Sequence, residues 1–247
     1  MKVRLTDRLA LVASGRRGFD LTDSLDCHVY LVDGGGECAL IDAGAGRDPD
    51  ATLREIRRDG FDLSRIHYLI LTHPHADHAG GAFALKQRLG LQVLCHPHAA
   101  DILERGDEAA VHLPAARACG LFPQDIALPA CPVDRRVGEG DRIRVGELEL
   151  RVLDTPGHCR GHLSLYFELG GRPHLFCGDL VFHGGRILAQ SIPDCDLQEY
   201  AASVLRLAEL PVEVFLPGHG LFSLADGKRH IDEAAAVFRR LGVPPNL

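Results

Sequence analysis

Four segments of the sequence carry histidine or aspartate directly after an apolar run, and these side chains are ligands that zinc accepts in proteins. The segments are THPHADH (72–78), TPGH (155–158), CGD (177–179) and PGH (217–219). Side chains at the carboxyl ends of neighbouring buried strands meet at one edge of an α/β sheet. We therefore expect the four segments to form a metal centre. The candidate ligands are His73, His75, Asp77, His78, His158, Asp179 and His219.

The first cluster has the density of a two-metal site. His73 and His75 alternate by two and project to one side of an extended chain, whereas Asp77 and His78 fall on the turn that begins the next helix. Two ions about 3.5–4 Å apart fit if each pair binds one of them. Asp77 alone could simply cap the helix, but the four residues together, with ligand types recurring downstream, favour the metal centre.

The elements that must position these residues alternate between strand and helix. Apolar runs predict a hairpin around the glycines at 34–36, a strand at IHYLILT buried on both faces, and further strands at LQVLCH, ELELRVLDT, HLSLYFEL, PHLFCGD and EVFLPGH. Helical spacing predicts helices after Pro49, at AGGAFALKQRLG, at DLQEYAASVLRLAEL and at HIDEAAAVFRRLG. Strand-and-helix patterns occur twice, so we expect two βα halves packed sheet against sheet.

The length of 247 residues and the hydrophobic fraction of 46% predict one folded domain, 1–247. Ala-rich helical pieces at 97–128 form either a helical cap over the active site or two surface helices that join strands. Eight cysteines without a CxxC motif are expected to be reduced and buried.

Charge and hydropathy exclude two classes of partner. The net charge of −7, without runs of Lys or Arg, argues against nucleic acid. Apolar stretches stay below the roughly 20 residues that a membrane span needs, and charges interrupt the first residues. We expect a soluble, cytoplasmic protein without a membrane partner.

The motif THPHADHAGG, followed by TPGH, GD and PGH, resembles the metallo-β-lactamase superfamily, and CHVYLVDGGGECALIDAGAG is similar to that family's opening hairpin. The resemblance implies an α/β (α+β) fold, the four-layer αββα sandwich, with a dinuclear site at one edge between the sheets. It assigns His73, His75 and His158 to the first metal. It assigns Asp77, His78 and His219 to the second, and Asp179 to both as a bridge.

The resemblance also implies the chemistry. Two zinc ions per chain, with iron or manganese as alternatives, would generate a hydroxide that attacks the carbonyl of a small-molecule thioester, lactone or ester. Asp77 would act as the catalytic residue that orients this hydroxide or passes a proton to the leaving group. Phe182, His183 and Arg186 are candidate substrate contacts, Arg186 through its fork of donors; a solvated loop is the alternative for His183 and Arg186.

The sequence departs from the patterns of several branches of the family, and these departures bear on the class of substrate. Zinc β-lactamases commonly carry Cys where this chain has Asp179, and lactonases carry Tyr where it has Phe182. Hydroxyacylglutathione hydrolases have GDTLF, similar to GDLVF here, but only Lys228 and Arg229 represent their basic C-terminal cluster. Flavin-partnered diiron relatives have Glu at His75.

Other activities and assembly states stay open at this stage. The alternatives are an iron-dependent persulfide dioxygenase, a phosphodiesterase or nuclease of the same fold, and a non-catalytic scaffold. We expect a small-molecule substrate and a monomer or homodimer.

Overall fold

The computed structural model describes residues 3–247, which form two compact units. The first unit extends to Val137 and includes Val145–Glu147, and the second comprises Gly138–Arg144 and Leu148–Leu247. Each unit is built around one β-sheet. The predicted mixed α/β class with two sheets is therefore confirmed, whereas the single domain 1–247 stays a prediction.

The first unit contains a seven-stranded sheet whose strands follow one another in chain order. Strands β1 to β4 pair antiparallel, and β4 to β7 pair parallel. The carboxyl ends of β4, β5 and β6 therefore lie at the same edge of the sheet. The strands are β1 (Arg4–Thr6), β2 (Leu9–Ala13), β3 (Val29–Asp33), β4 (Cys38–Ile41), β5 (Ile66–Ile70), β6 (Gln92–Cys95) and β7 (Arg135–Arg136).

Five α-helices belong to the first unit: α1 (Pro49–Arg58), α2 (Ala76–Ala79), α3 (Ala82–Leu89), α4 (Pro97–Arg105) and α5 (Leu113–Ala118). A 3₁₀ helix spans Leu63–Arg65. Helix α1 begins where the Ala51 N–H donates to the Asp48 carboxylate at 3.0 Å. It buries Leu53 and Ile56, the two residues whose spacing predicts it. Helices α4 and α5 confirm the helical content of 97–128, and the cap role stays a prediction.

The second unit contains a five-stranded sheet in the order β12-β11-β10-β9-β8. Strand β10 pairs antiparallel with both β9 and β11, and β11 pairs parallel with β12. Helices α6 (Leu197–Leu207) and α7 (Lys228–Arg239) pack against this sheet through Tyr200, Ile231 and Phe238. The strands are β8 (Arg142–Val145), β9 (Leu148–Asp154), β10 (Leu163–Leu169), β11 (Arg172–Gly178) and β12 (Val214–Pro217).

Strand β5 differs from its prediction, because it is buried on both faces only at its end. His67 is exposed and Tyr68 is half-buried, whereas Leu69 and Ile70 are fully buried. Ile66 at the start of the strand is also buried, so the departure is confined to His67 and Tyr68. Among residues 3–247, no helix is long and apolar enough to cross a membrane.

The eight cysteines are free thiols, as predicted, and six of them are buried. Cys119 is exposed and Cys195 is half-buried, so the expectation of burial is wrong at these two positions. Cys119 is the residue that follows the last turn of α5. Burial raises the pKa of the Cys27 and Cys95 thiols to about 12. These two therefore remain protonated and unreactive near neutral pH.

Candidate metal centre

The first unit brings the THPHADH segment together at the carboxyl end of β5. His73, His75 and His78 are buried. The ring centroid of His73 lies 4.7 Å from that of His75 and 4.0 Å from that of His78. Asp77 and His78 lie on the one-turn helix α2, as the sequence predicts. The segment from His73 to His78 thus contributes three imidazoles and a carboxylate.

A buried aspartate that the sequence analysis does not single out holds this segment in place. Asp42 directly follows β4, and its carboxylate accepts hydrogen bonds from the Thr72 N–H at 2.7 Å and the Thr72 hydroxyl at 2.8 Å. It also accepts from His78 Nδ1 at 2.9 Å. An Asp at the carboxyl end of the strand beside β5 is the sequence signal that could have identified it.

These contacts determine which ring nitrogen of each histidine is available to bind a metal ion. A carboxylate only accepts hydrogen bonds, so Nδ1 of His78 carries the hydrogen and Nε2 keeps the lone pair. The Thr72 hydroxyl uses its hydrogen on Asp42 and therefore accepts from Nδ1 of His73, 3.0 Å away. Metal-binding histidines have this arrangement, in which the second nitrogen donates to a carboxylate or another oxygen.

The backbone of α2 is fixed as well. The Asp77 carbonyl accepts from the Cys27 N–H at 3.2 Å, and the His78 carbonyl accepts from the Ala43 N–H at 2.7 Å. The carbonyls of a one-turn helix have few partners within the helix itself. The two neighbouring segments supply these partners and thereby hold both ligand residues in position.

The second unit brings together the other three predicted ligands. Asp179 and His219 follow the parallel strands β11 and β12, and the Gly218 N–H donates to the Gly178 carbonyl at 2.7 Å. Asp179 Oδ2 lies 3.5 Å from His219 Nε2 and 3.9 Å from His158 Nε2. All three residues are buried. Two donors on one tetrahedral zinc are about 3.4 Å apart when the bonds are 2.0–2.2 Å, so each histidine lies at about ligand spacing from Asp179.

His158 and His162 have different roles in the second unit. His158 Nδ1 donates to the Leu188 carbonyl at 2.8 Å, which leaves Nε2 directed to Asp179. His162 Nε2 instead accepts from the Asp179 N–H at 3.1 Å, and its Nδ1 donates to the Thr155 hydroxyl at 2.9 Å. Both nitrogens of His162 are occupied, so it positions Asp179 rather than binding a metal.

The side chains of the three candidate substrate contacts have different neighbours, although the Phe182 N–H donates to the Arg186 carbonyl at 2.8 Å. Phe182 is buried, with its ring centroid 6.4 Å from that of His219. The His183 ring lies 4.3 Å from the ring of His230, and Arg186 donates to the Asn246 carbonyl at 2.8 Å. Arg186 is exposed. The structure therefore brings Phe182 beside a candidate ligand and gives His183 and Arg186 other neighbours; their substrate roles stay predictions.

Comparisons with known proteins bear on the whole motif. The family model of the Metallo-beta-lactamase superfamily matches residues 22–219. The chain is 34% identical to a hydroxyacylglutathione hydrolase of Chelativorans sp. (strain BNC1) over 185 residues, which cover 74% of this chain and 58% of the relative. It is 31% identical over 236 residues to the acyl-coenzyme A thioesterase MBLAC2 of Gallus gallus, with 87% of this chain and 79% of the relative covered.

A second hydroxyacylglutathione hydrolase, from Rhodospirillum rubrum, is 32% identical over 162 residues and matches over 50% of its own length. The chain thus spans between half and three fifths of the length of these two hydrolases.

Solved structures show the same fold. The MIM-2 metallo-β-lactamase superposes with a TM-score of 0.68 at 26% identity, covering 87% of this chain and 83% of its own. A metallo-β-lactamase of Cronobacter sakazakii with a HARLDQ motif superposes with a TM-score of 0.75 at 20% identity, covering 98% and 97%. With the match over residues 22–219, the motif and the fold agree, and the chain belongs to the metallo-β-lactamase superfamily.

Proposed function

We propose that this protein is a metal-dependent hydrolase of small-molecule thioesters. The observation that carries the proposal is the placement of His158 Nε2 and His219 Nε2 at 3.9 and 3.5 Å from one oxygen of Asp179. Each imidazole nitrogen lies at about the spacing of two ligands on one cation from the same buried carboxylate, as expected if Asp179 contributes to both ions. Membership of a superfamily whose curated relatives here are hydrolases supports the same reading.

We assign the predicted ligands to two metal ions, following the family pattern. His73, His75 and His158 would hold the first ion, Asp77, His78 and His219 the second, and Asp179 would contribute to both. The anchored Nδ1 atoms of His73, His78 and His158 support this assignment, because each leaves Nε2 as the donor. Zinc suits a set of imidazole and carboxylate ligands without thiolate.

Metal ions bound by these residues would supply a hydroxide nucleophile near neutral pH and would polarise a carbonyl. The chain's own residues would orient the reacting groups and exclude bulk water from them. Asp77, whose backbone carbonyl accepts from the Cys27 N–H, would orient the nucleophile or pass a proton to the leaving group. The burial of His73, His158 and Asp179 excludes bulk water, which strengthens charge interactions there.

A thioester is favoured among the three carbonyl classes. The relatives named above are a hydroxyacylglutathione hydrolase and an acyl-coenzyme A thioesterase, and both names denote thioester substrates. The segment GDLVF at 178–182 and the Phe at 182, where lactonases carry Tyr, agree with that choice. Lactones and oxygen esters are therefore expected to react more slowly.

The test combines metal analysis with substrate panels. The purified protein should hold two zinc ions per chain and hydrolyse acyl thioesters faster than lactones or esters. Asp179→Ala should lose metal and activity together, because the carboxylate between His158 and His219 is removed.

Cys177→Ala is the matched control. The Cys177 thiol lies in the same segment and donates to the Val181 carbonyl at 3.3 Å, and burial raises its pKa. This variant should lose about 1 kcal/mol of stability and retain its metal. An absence of hydrolysis across all three panels with zinc supplied would overturn the proposal. One iron per chain with oxygen uptake would support the persulfide dioxygenase instead.

A further inference from the structure

Helix α6 carries a tyrosine that contacts a ligand segment of the second unit. Tyr200 is fully buried. Its hydroxyl donates to the Asp179 carbonyl at 2.7 Å and accepts from the Leu188 N–H at 3.2 Å. A hydroxyl has one hydrogen to donate and lone pairs to accept, so both contacts are satisfied at once. One oxygen atom on α6 therefore joins the Asp179 backbone to the Leu188 backbone.

The Leu188 contact leads directly to a second ligand. The carbonyl of Leu188 accepts from His158 Nδ1 at 2.8 Å. The next residue, Ala189, is held from its other side, because its N–H and carbonyl pair with the side-chain amide of Asn246 at 2.8 and 3.0 Å. The position of the carbonyl that orients the His158 ring is thus fixed by Tyr200 and by Asn246.

The loop that carries His158 also packs on Tyr200. Gly157 has φ +133°, and a Cβ atom at this position would lie 2.3 Å from Tyr200 Cα. The Asp196 N–H at the start of α6 donates to the Gly157 carbonyl at 2.9 Å. Backbone of the His158 loop is therefore in contact with backbone of α6 at Tyr200. Only glycine allows this approach.

We propose that Tyr200 is a positioning residue for the metal centre, whose hydroxyl sets the relative placement of Asp179 and His158. This inference rests on the proposed function, because it concerns the ligands assigned there. The separation of 3.9 Å between His158 Nε2 and Asp179 Oδ2 depends on both segments. Tyr200 contacts the Asp179 backbone directly and the His158 ring through Leu188. Partners that orient metal ligands in this way contribute 10–100-fold to metal affinity.

Tyr200→Phe is the direct test. Phenylalanine fills the ring volume but leaves the Asp179 carbonyl and the Leu188 N–H without the hydroxyl between them. We expect zinc affinity, measured by competition with a chromophoric chelator, to fall about tenfold or more for at least one of the two ions. With cobalt in place of zinc, the visible absorption bands should shift. A residue needed only for folding would lower the unfolding midpoint and leave both readouts unchanged.

Tyr166→Phe is the matched control, because Tyr166 on β10 is half-buried against the same core and belongs to no ligand segment. It should retain the parent's zinc affinity. A Tyr200→Phe protein that is folded by circular dichroism and binds both zinc ions like the parent would overturn the inference. If the parent itself binds no zinc, the proposed function fails, and this inference with it.

A second measurement covers the case in which Tyr200→Phe does not fold. 3-Fluorotyrosine at position 200 keeps the hydroxyl and nearly the same volume. Its ¹⁹F resonance should shift as zinc is titrated into the metal-free protein, and the same label at position 166 should not. No shift at position 200 on zinc saturation would overturn the inference as well.

Discussion

Asp42 accepts three hydrogen bonds that hold the ligand segment of the first unit. The donors are the Thr72 N–H, the Thr72 hydroxyl and His78 Nδ1. The residue has φ +63°, a left-handed conformation that is uncommon outside glycine and costs of the order of 1 kcal/mol. The three hydrogen bonds offset this cost. Backbone strain at Asp42 thus accompanies the hydrogen bond to Nδ1 that leaves Nε2 of His78 as the possible metal ligand.

Asp42→Asn tests this role at the scale of one residue. An amide has a single acceptor oxygen, so its NH₂ group must face Thr72 or His78 donor to donor. We expect zinc affinity to fall 10–100-fold and the free energy of unfolding to fall by about 1–3 kcal/mol. Chelator competition and urea unfolding measure the two effects.

Asp50→Asn provides the comparison for that variant, because Asp50 is an exposed residue paired with Arg88. Exposed ion pairs contribute about 0–1 kcal/mol, so its zinc affinity should equal the parent's. Parent-like zinc affinity in Asp42→Asn would show that Asp42 does not orient the ligands.

At the scale of elements, the two glycines that end α2 pack closely on the backbone of the loop that follows β4. A Cβ atom on Gly81 would lie 2.1 Å from the Ala43 carbonyl oxygen, and one on Gly80 would lie 2.5 Å from the Ala45 carbonyl oxygen. The Gly81 N–H donates to the Gly44 carbonyl at 3.0 Å. The loop that follows β4 and the end of α2 are therefore in direct contact, and side chains are excluded between them.

Gly81→Ala should move the end of α2 away from the loop that follows β4. Gly81 has an ordinary negative φ of −80°, so the added methyl group acts through its clash alone. We expect a loss of about 1–3 kcal/mol in the free energy of unfolding, together with weaker zinc binding as α2 shifts.

Gly36→Ala is the control, because nothing lies within 4 Å of a Cβ there. It should change stability by less than about 0.5 kcal/mol. Equal unfolding midpoints for the two variants in urea would contradict the packing argument.

The elements also show what the sequence can predict. Long apolar periodicity predicts α1 through Leu53 and Ile56, and buried strands such as β10. Strands β1 and β7, with three and two residues, are too short to produce a pattern. Ligand types are visible in the sequence, but the partner of His158 Nδ1 is a backbone carbonyl 30 residues away. Every residue has such a carbonyl, so the fold alone selects Leu188.

At the scale of the whole molecule, two buried groups give stability opposite dependences on pH. Burial raises the pKa of Asp26 from 3.8 to about 6, against the hydrogen bonds from Thr22 and Ala45. Between pH 4 and 6 the unfolded chain loses this proton while the folded chain keeps it. The folded state binds more protons in that window, so the Asp26 contribution to stability falls as pH rises.

His230 acts in the other direction. Burial lowers its pKa from 6.5 to about 4. The Gly184 N–H donates to Nδ1 at 3.0 Å, so Nε2 carries the hydrogen and donates to the Ser223 hydroxyl at 2.7 Å. The folded chain therefore needs the neutral ring. Between pH 6.5 and 4 the unfolded chain binds the proton first, and the His230 contribution to stability is lost as pH falls.

His230→Gln tests how the His230 contribution to stability depends on pH. The variant lacks a group that titrates in the unfolded chain, so its cost relative to the parent should be largest at pH 7.5 and smaller by about 2 kcal/mol at pH 4.5. Urea unfolding of both proteins at the two pH values measures the change. A cost of His230→Gln that does not vary with pH would mean that the ring titrates alike in the folded and unfolded chains. In that case the opposition between Asp26 and His230 would not exist.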